Sequence, residues 1–206
     1  MTKSIYDHQL ENNAYNLYDV RFFEYEISTI VTSTPEIVDQ WIFETQLIHN
    51  PVIVGLDVEW LPNRTKNDNH PVATLQLCVG NRCLIFQILH SPIIPYSLAF
   101  FLGNPSYIFT GVGIDEDVKK LREDYHLVVA RTEDLRSLAV VKYGVRKLIN
   151  AGIKKLSCKV LRRDIGKPKV ITMSAWDSQW LTPGQVQYAC LDAFLSSEIA
   201  RVLMKL

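Results

Sequence analysis

The chain has 206 residues, of which 48% are hydrophobic and 21% charged. That make-up fits one globular domain, with or without a short appendage, and excludes disordered and collagen-like architectures. The 22 basic and 22 acidic side chains cancel, which argues against a protein that holds nucleic acid mainly by a bulk positive field.

In chain order, residues 1–15 read as a loosely held arm and 16–206 as one domain. Residues 16–32 (NLYDVRFFEYEISTIVT) are β-branched and aromatic throughout, which predicts a strand. Pro35 suits a first helical turn, and Ile37, Trp41 and Ile42 give that helix an apolar face to about residue 48. PVIVGLDVEW, residues 51–60, is a near-continuous apolar run and predicts a buried central strand. Residues 61–70 are polar and read as a loop. Strands over 73–79 and 82–89 follow, joined by Gly80-Asn81 in a tight hairpin. A short helix near 95–102 precedes a buried strand over 107–112.

Val118, Leu121 and Tyr125 then fall at helical spacing, which predicts a helix over 115–125. A short strand over 127–130, helices near 133–143 and 153–163, and a long helix from Thr182-Pro183 to the end complete the reading. Strands first and helices later imply an α/β domain with a mixed sheet.

The zero net charge is a sum of opposite segments. Residues 1–60 hold ten acids and two bases (Lys3, Arg21), whereas residues 142–169 hold ten bases and one acid (Asp164). Such asymmetry marks a site for an anionic partner, or else the solvated faces of two short helices. Residues 83–114 contain no charged side chain. Gln87, His90, Pro92, Pro95, Asn104 and Pro105 interrupt them, so no membrane span is expected. The four cysteines (78, 83, 158 and 190) lack zinc-ligand spacing and read as buried free thiols of a reducing compartment. The first 20 residues lack a signal peptide's apolar core, so cytosol or nucleus is the expected location.

Three acidic features carry chemistry. Asp57 and Glu59 lie at i and i+2 on a strand and share one face. On a buried strand two carboxylates need neutralising, which a hard divalent cation does; the alternative is a strand end emerging into solvent. Gly111-x-Gly113 lets the backbone turn sharply before Asp115, Glu116 and Asp117 open a helix. Plain N-terminal capping explains those acids equally. Tyr188 and Asp192 lie one turn apart on the last helix, as a functional pair or a surface pair.

Together, D-x-E, then D, then Y-x3-D resembles the catalytic set of the tyrosine-bearing subclass of DEDD 3′–5′ exonucleases. More narrowly, over about residues 30–204, it resembles the exonuclease of the Werner syndrome protein and its small stand-alone plant relatives. Val54–Trp60, Ala73–Cys78, Gly111–Ile114 and the segment from Trp180 to Ala193 carry the likeness. The resemblance implies an α/β, ribonuclease-H-like (DnaQ-like exonuclease) fold, with a central mixed sheet of five to six strands flanked by helices. It implies metal ligands at Asp57, Glu59, Asp117 and Asp192, and a water-positioning phenol at Tyr188. The motif register selects Asp117 over Asp115. Gln187 stands where the histidine subclass would carry its histidine.

Two Mg²⁺ ions, with Mn²⁺ as a substitute, roughly 4 Å apart, suit hydrolysis of a phosphodiester. The expected arrangement has Asp57 bridging both ions, Glu59 and Asp192 completing one site, and Asp117 serving the other. Trp60 and Leu61 are candidates to wedge against the terminal base, with a core role equally open for Trp60. Lys154, Lys155, Arg162, Arg163, Lys167 and Lys169 are candidates to track the phosphate backbone. The expected substrate is the 3′ end of single-stranded RNA or DNA, RNA slightly favoured, bound modestly and salt-sensitively. Three other readings remain: a catalytically weak nucleic-acid-binding module, a nuclease acting internally on structured RNA, and, compatibly with activity, a homo-oligomeric ring in which acidic and basic segments of neighbours pair.

Overall fold

The computed structural model describes residues 3–11, 14–48, 53–65, 67–166 and 168–205. Eight strands form one sheet: β1 (Lys3–Asp7), β2 (Asn16–Phe22), β3 (Tyr25–Thr32), β4 (Ile53–Trp60), β5 (Val72–Val79), β6 (Arg82–Phe86), β7 (Ile108–Gly111) and β8 (Thr132–Asp134). Their order is β1-β2-β3-β6-β5-β4-β7-β8. β3/β6, β4/β7 and β7/β8 are parallel and the remaining pairs antiparallel, so the sheet is mixed, as expected.

The sheet is wider than the five to six strands expected. The segment 16–32 is two strands, β2 and β3, because the chain reverses at Phe23, whose φ is 53°. The arm is also partly a strand: β1 pairs along β2 from Lys3↔Phe22 to Asp7↔Tyr18. No strand forms over 127–130; β8 starts at Thr132 instead. The strand expected to reach 89 stops at Phe86 and is followed by a single 3₁₀ turn, Ile88–His90.

Helices cover both faces. On one side lie α1 (Pro35–Ile48), α2 (Tyr96–Leu102) and α3 (Ile114–Tyr125), packed over Leu75, Leu77, Leu84, Phe86 and Phe109. On the other lie α4 (Leu135–Tyr143), α5 (Ile153–Val160), the single turn α6 (Lys169–Thr172) and α7 (Pro183–Met204). Phe22, Trp176, Phe194, Leu195 and Ile199 form the core there. α7 begins where Thr182-Pro183 predicted, with a reciprocal Thr182–Gln185 capping box. It is buried along most of its length because it lies against the central strand, β4. Among the described residues no helix is long and apolar enough to cross a membrane. Cys78, Cys83 and Cys190 are buried free thiols, but Cys158 is exposed, because it sits on the outer side of α5.

Gly55 sets how closely α7 approaches β4. A Cβ at this position would lie within 3.0 Å of the Ala193 carbonyl carbon and the Ser197 amide nitrogen, both at 2.9 Å. Without a side chain at 55, the helix backbone rests directly on the strand.

Candidate active site

The strand period turns Asp57 and Glu59 to the α7 side of the sheet, while Val58 and Trp60 pack with the core on the other side. Asp192 projects from α7, one residue before the contact at Ala193. One carboxylate oxygen from each of Asp57, Glu59 and Asp192 lies within 4.8 Å of the others. Asp192 is buried and the other two are half-buried. Three carboxylates this close repel one another unless positive charge joins them. The donors are all hard oxygens at converging positions, so the residues fit a divalent cation such as Mg²⁺ or Mn²⁺.

Across β5, Gln76 is registered opposite Asp57 and Thr74 opposite Glu59, so these side chains share the same face. Both are fully buried. Gln76 Nε2 donates to Thr74 Oγ1 at 2.6 Å, while Gln76 Oε1 has no hydrogen-bond partner. The register slips between Glu59 and Trp60, a bulge at the end of the strand that carries the acids.

Tyr188 lies one helical turn before Asp192, is 9% exposed, and tilts against Trp176 with ring centroids 5.8 Å apart. Its hydroxyl accepts a hydrogen bond from Thr172 Oγ1 at 3.3 Å. Tyr188 and Asp192 are therefore inward-facing, not a surface pair.

Asp117 is buried in the first turn of α3, whereas Asp115 and Glu116 are exposed. It is not one of the three acids that converge within 4.8 Å. Burial, reinforced by the Glu116 and Asp134 carboxylates and opposed by Arg136, pushes its pKa up to about 8. A carboxyl in that state is neutral at pH 7 and ionises when a cation comes near, which also fits a metal site.

The turn that delivers Asp117 is held from β8. Gly113 has φ 79° and its amide donates to Asp134 Oδ2 at 2.8 Å. Asp134 also caps α4, accepting from the Arg136 amide, and grips the Arg136 guanidinium at 2.7 Å. Burial acts to raise the Asp134 pKa, but the hydrogen bonds from Arg136 and the Gly113 amide outweigh it and hold the carboxyl below its usual range.

The other expected contacts are scattered. Trp60, on the opposite face from the acids, is partly buried with the Lys120 ammonium 5.3 Å from its ring. Leu61 follows it, half-buried. Lys154, Lys155, Arg162 and Lys169 are exposed, and Lys154 pairs with Asp164 at 3.4 Å. Arg163 is engaged inside the chain: it forks onto both Glu24 oxygens at 3.0 and 3.1 Å and stacks on Phe23. Lys167 lies outside the described residues.

A family model described as 3′-5′ exonuclease matches residues 30–206. The chain belongs to that family. It is 37% identical over 155 residues to a 3′-5′ exonuclease of Arabidopsis thaliana, covering 74% of this chain and 53% of that protein. It is 32% identical over 145 residues to the mouse bifunctional 3′-5′ exonuclease/ATP-dependent helicase WRN, covering 69% of this chain and 10% of that protein. The chain thus spans about half or less of these relatives.

Among solved structures it superposes on Escherichia coli RNase D with a TM-score of 0.70 at 18% identity, over 85% of this chain and 44% of that one. It matches an EXD2 exonuclease domain soaked in Mg and GMP with a TM-score of 0.50 at 27% identity, over 86% of this chain and 88% of that one. The ribonuclease-H-like exonuclease fold and the likeness to the Werner and plant exonucleases are both borne out. Asp134, Arg136 and Thr172 carried no sequence signal, and Thr74 and Gln76 were legible only as part of the segment Ala73–Cys78 that carries the resemblance; strand register and packing bring them to the site.

Proposed function

We propose that the chain is a metal-dependent exonuclease that removes nucleotides from the 3′ end of a single strand, RNA slightly ahead of DNA. The convergence of Asp57, Glu59 and Asp192, with Tyr188 one turn away, carries this reading. Asp57, Glu59 and Asp192 would hold one divalent cation and Asp117 would serve a second. When bound, such ions supply Lewis-acid stabilisation of the charge that builds on the phosphate oxygens.

The residues do the positioning. Water gives up a proton to solvent as its oxygen bonds to phosphorus, and the bond from phosphorus to the 3′-oxygen of the preceding nucleotide breaks, that oxygen taking up a proton from solvent. The products are a nucleoside 5′-monophosphate and a strand one unit shorter with a 3′-hydroxyl. Tyr188, oriented by Thr172 and Trp176, aligns the water and need not ionise. Thr74 and Gln76, fully buried and registered opposite Glu59 and Asp57, line the same face of the sheet as the two acids. Leu61 borders the terminal base, while Trp60, turned to the opposite face of the strand, backs it from the core side. Exposed Lys154, Lys155, Arg162 and Lys169 follow the backbone, with Lys167 assigned on sequence alone, while Arg163, held by Glu24 and Phe23, braces the segment that carries them.

Support for the metal comes from the donor set, and from the EXD2 domain having been soaked in Mg or Mn with GMP. A homo-oligomeric ring belongs to the same proposal; it draws on the opposed charge segments, and solution mass tests it. The deciding experiment is a 3′-labelled oligonucleotide with Mg²⁺ and wild type or Asp57→Ala. Label is released by wild type, but not by the variant or in excess chelator. Equal rates for both proteins would overturn the reading.

A further inference from the structure

A cavity of about 320 Å³ opens beside the candidate site, at the small end of the usual range for ligand sites. Asp192 and Tyr188 form one side, and Ile165, Ile171 and Leu191 supply apolar walls. Its remaining notable member is Lys3, from β1. That strand lies at the far edge of the sheet from β8 and before the family match, which begins at residue 30. Lys3 is therefore a contribution of this chain beyond the matched domain.

The ladder from Lys3↔Phe22 to Asp7↔Tyr18 fixes where β1 runs. Lys3 Nζ donates to the Gly166 carbonyl at 3.0 Å in a solvent-exposed contact. An ammonium has three donors, so the tether places the charge without using all of it. The cavity lining thus combines an acid and a phenol, apolar side chains and a positioned cation. A nucleotide has matching parts: a sugar and base with apolar faces, and a phosphate one unit along the strand.

We infer that β1 is a substrate-binding element in which Lys3 contacts a backbone phosphate of the nucleic-acid strand whose 3′ end occupies the Tyr188–Asp192 side of the cavity. This rests on the exonuclease reading. It assigns to the arm a role in affinity, with no part in the chemical step.

The test uses the full chain and a fluorescent single-stranded oligonucleotide in chelator, with dissociation constants measured across a salt series. KM and kcat are measured in Mg²⁺. Lys3→Gln keeps a donor for Gly166 but loses the charge; Lys3→Arg keeps the charge. Lys3→Gln is expected to weaken binding about threefold to fivefold and to lower the salt slope by about 0.7, the value for one phosphate contact on a single strand. KM should rise with kcat unchanged, and Lys3→Arg should match wild type. A wild-type salt slope and KM in Lys3→Gln overturns the inference, leaving Lys3 as a latch on Gly166. A wild-type protein that neither binds nor degrades the oligonucleotide overturns the exonuclease reading itself, and this inference with it.

Discussion

Gly55 on β4 and Ala193 on α7 touch backbone to backbone, and this contact carries Asp192 to the two acids of the strand. A methyl group at 55 would meet the Ala193 carbonyl and the Ser197 amide, neither of which can move without shifting the helix. Gly55→Ala is expected to cost about 1–3 kcal/mol or more. Activity should fall further than stability accounts for, because Asp192 is displaced. Thermal melting and turnover of the same sample check this.

Tyr188→Phe removes a hydroxyl that accepts from Thr172 at 3.3 Å and leaves the packing on Trp176 intact. Its kcat should drop about a hundredfold through lost water alignment, with KM and melting temperature near wild type. Steady-state kinetics with a defined single strand separates the two parameters.

Asp134 contributes to the acid limb of stability. Its pKa is lower in the folded protein than in the unfolded chain, despite burial, because Arg136 and the Gly113 amide stabilise the carboxylate. That contribution is fully present above the unfolded value of about 3.9 and is lost as pH falls through the folded value. Asp134→Asn should therefore be less stable than wild type at pH 6, with the difference narrowing below about pH 4. Melting temperatures measured from pH 6 to pH 3 provide the check.

Arg163 differs from its basic neighbours because Glu24 and Phe23 already occupy its guanidinium. Arg162→Ala and Lys155→Ala are expected to weaken oligonucleotide binding by about twofold to fivefold each, while Arg163→Ala should act mainly on stability. Fluorescence anisotropy alongside melting curves distinguishes them.

The sequence was legible where chemistry forces a residue type. Two acids on an apolar strand, two glycines before an acidic helix start, and Tyr188 with Asp192 on one helix face each left an ordinary alternative open, and only their joint resemblance to the exonuclease motifs drew them together. The structure faces Asp57, Glu59 and Asp192 toward one another. Asp117 is buried beside exposed Asp115, but it stands outside the three acids that converge. What was illegible depended on pairing. Phe23 is an unusual residue for a left-handed turn, so nothing in FFEYE signalled the β2–β3 reversal. β1 is only five residues long and gains its order from β2. Gln76 reads as one polar residue in an apolar strand until the ladder sets it opposite Asp57.

The most direct measurement of the central claim follows product length over time in Mg²⁺, using a 5′-labelled linear strand and a closed circle of the same sequence. A metal-dependent 3′–5′ exonuclease yields a ladder shortening one nucleotide at a time from the 3′ end and leaves the circle whole. Cleavage of the circle, or the same ladder in excess chelator, would contradict the account.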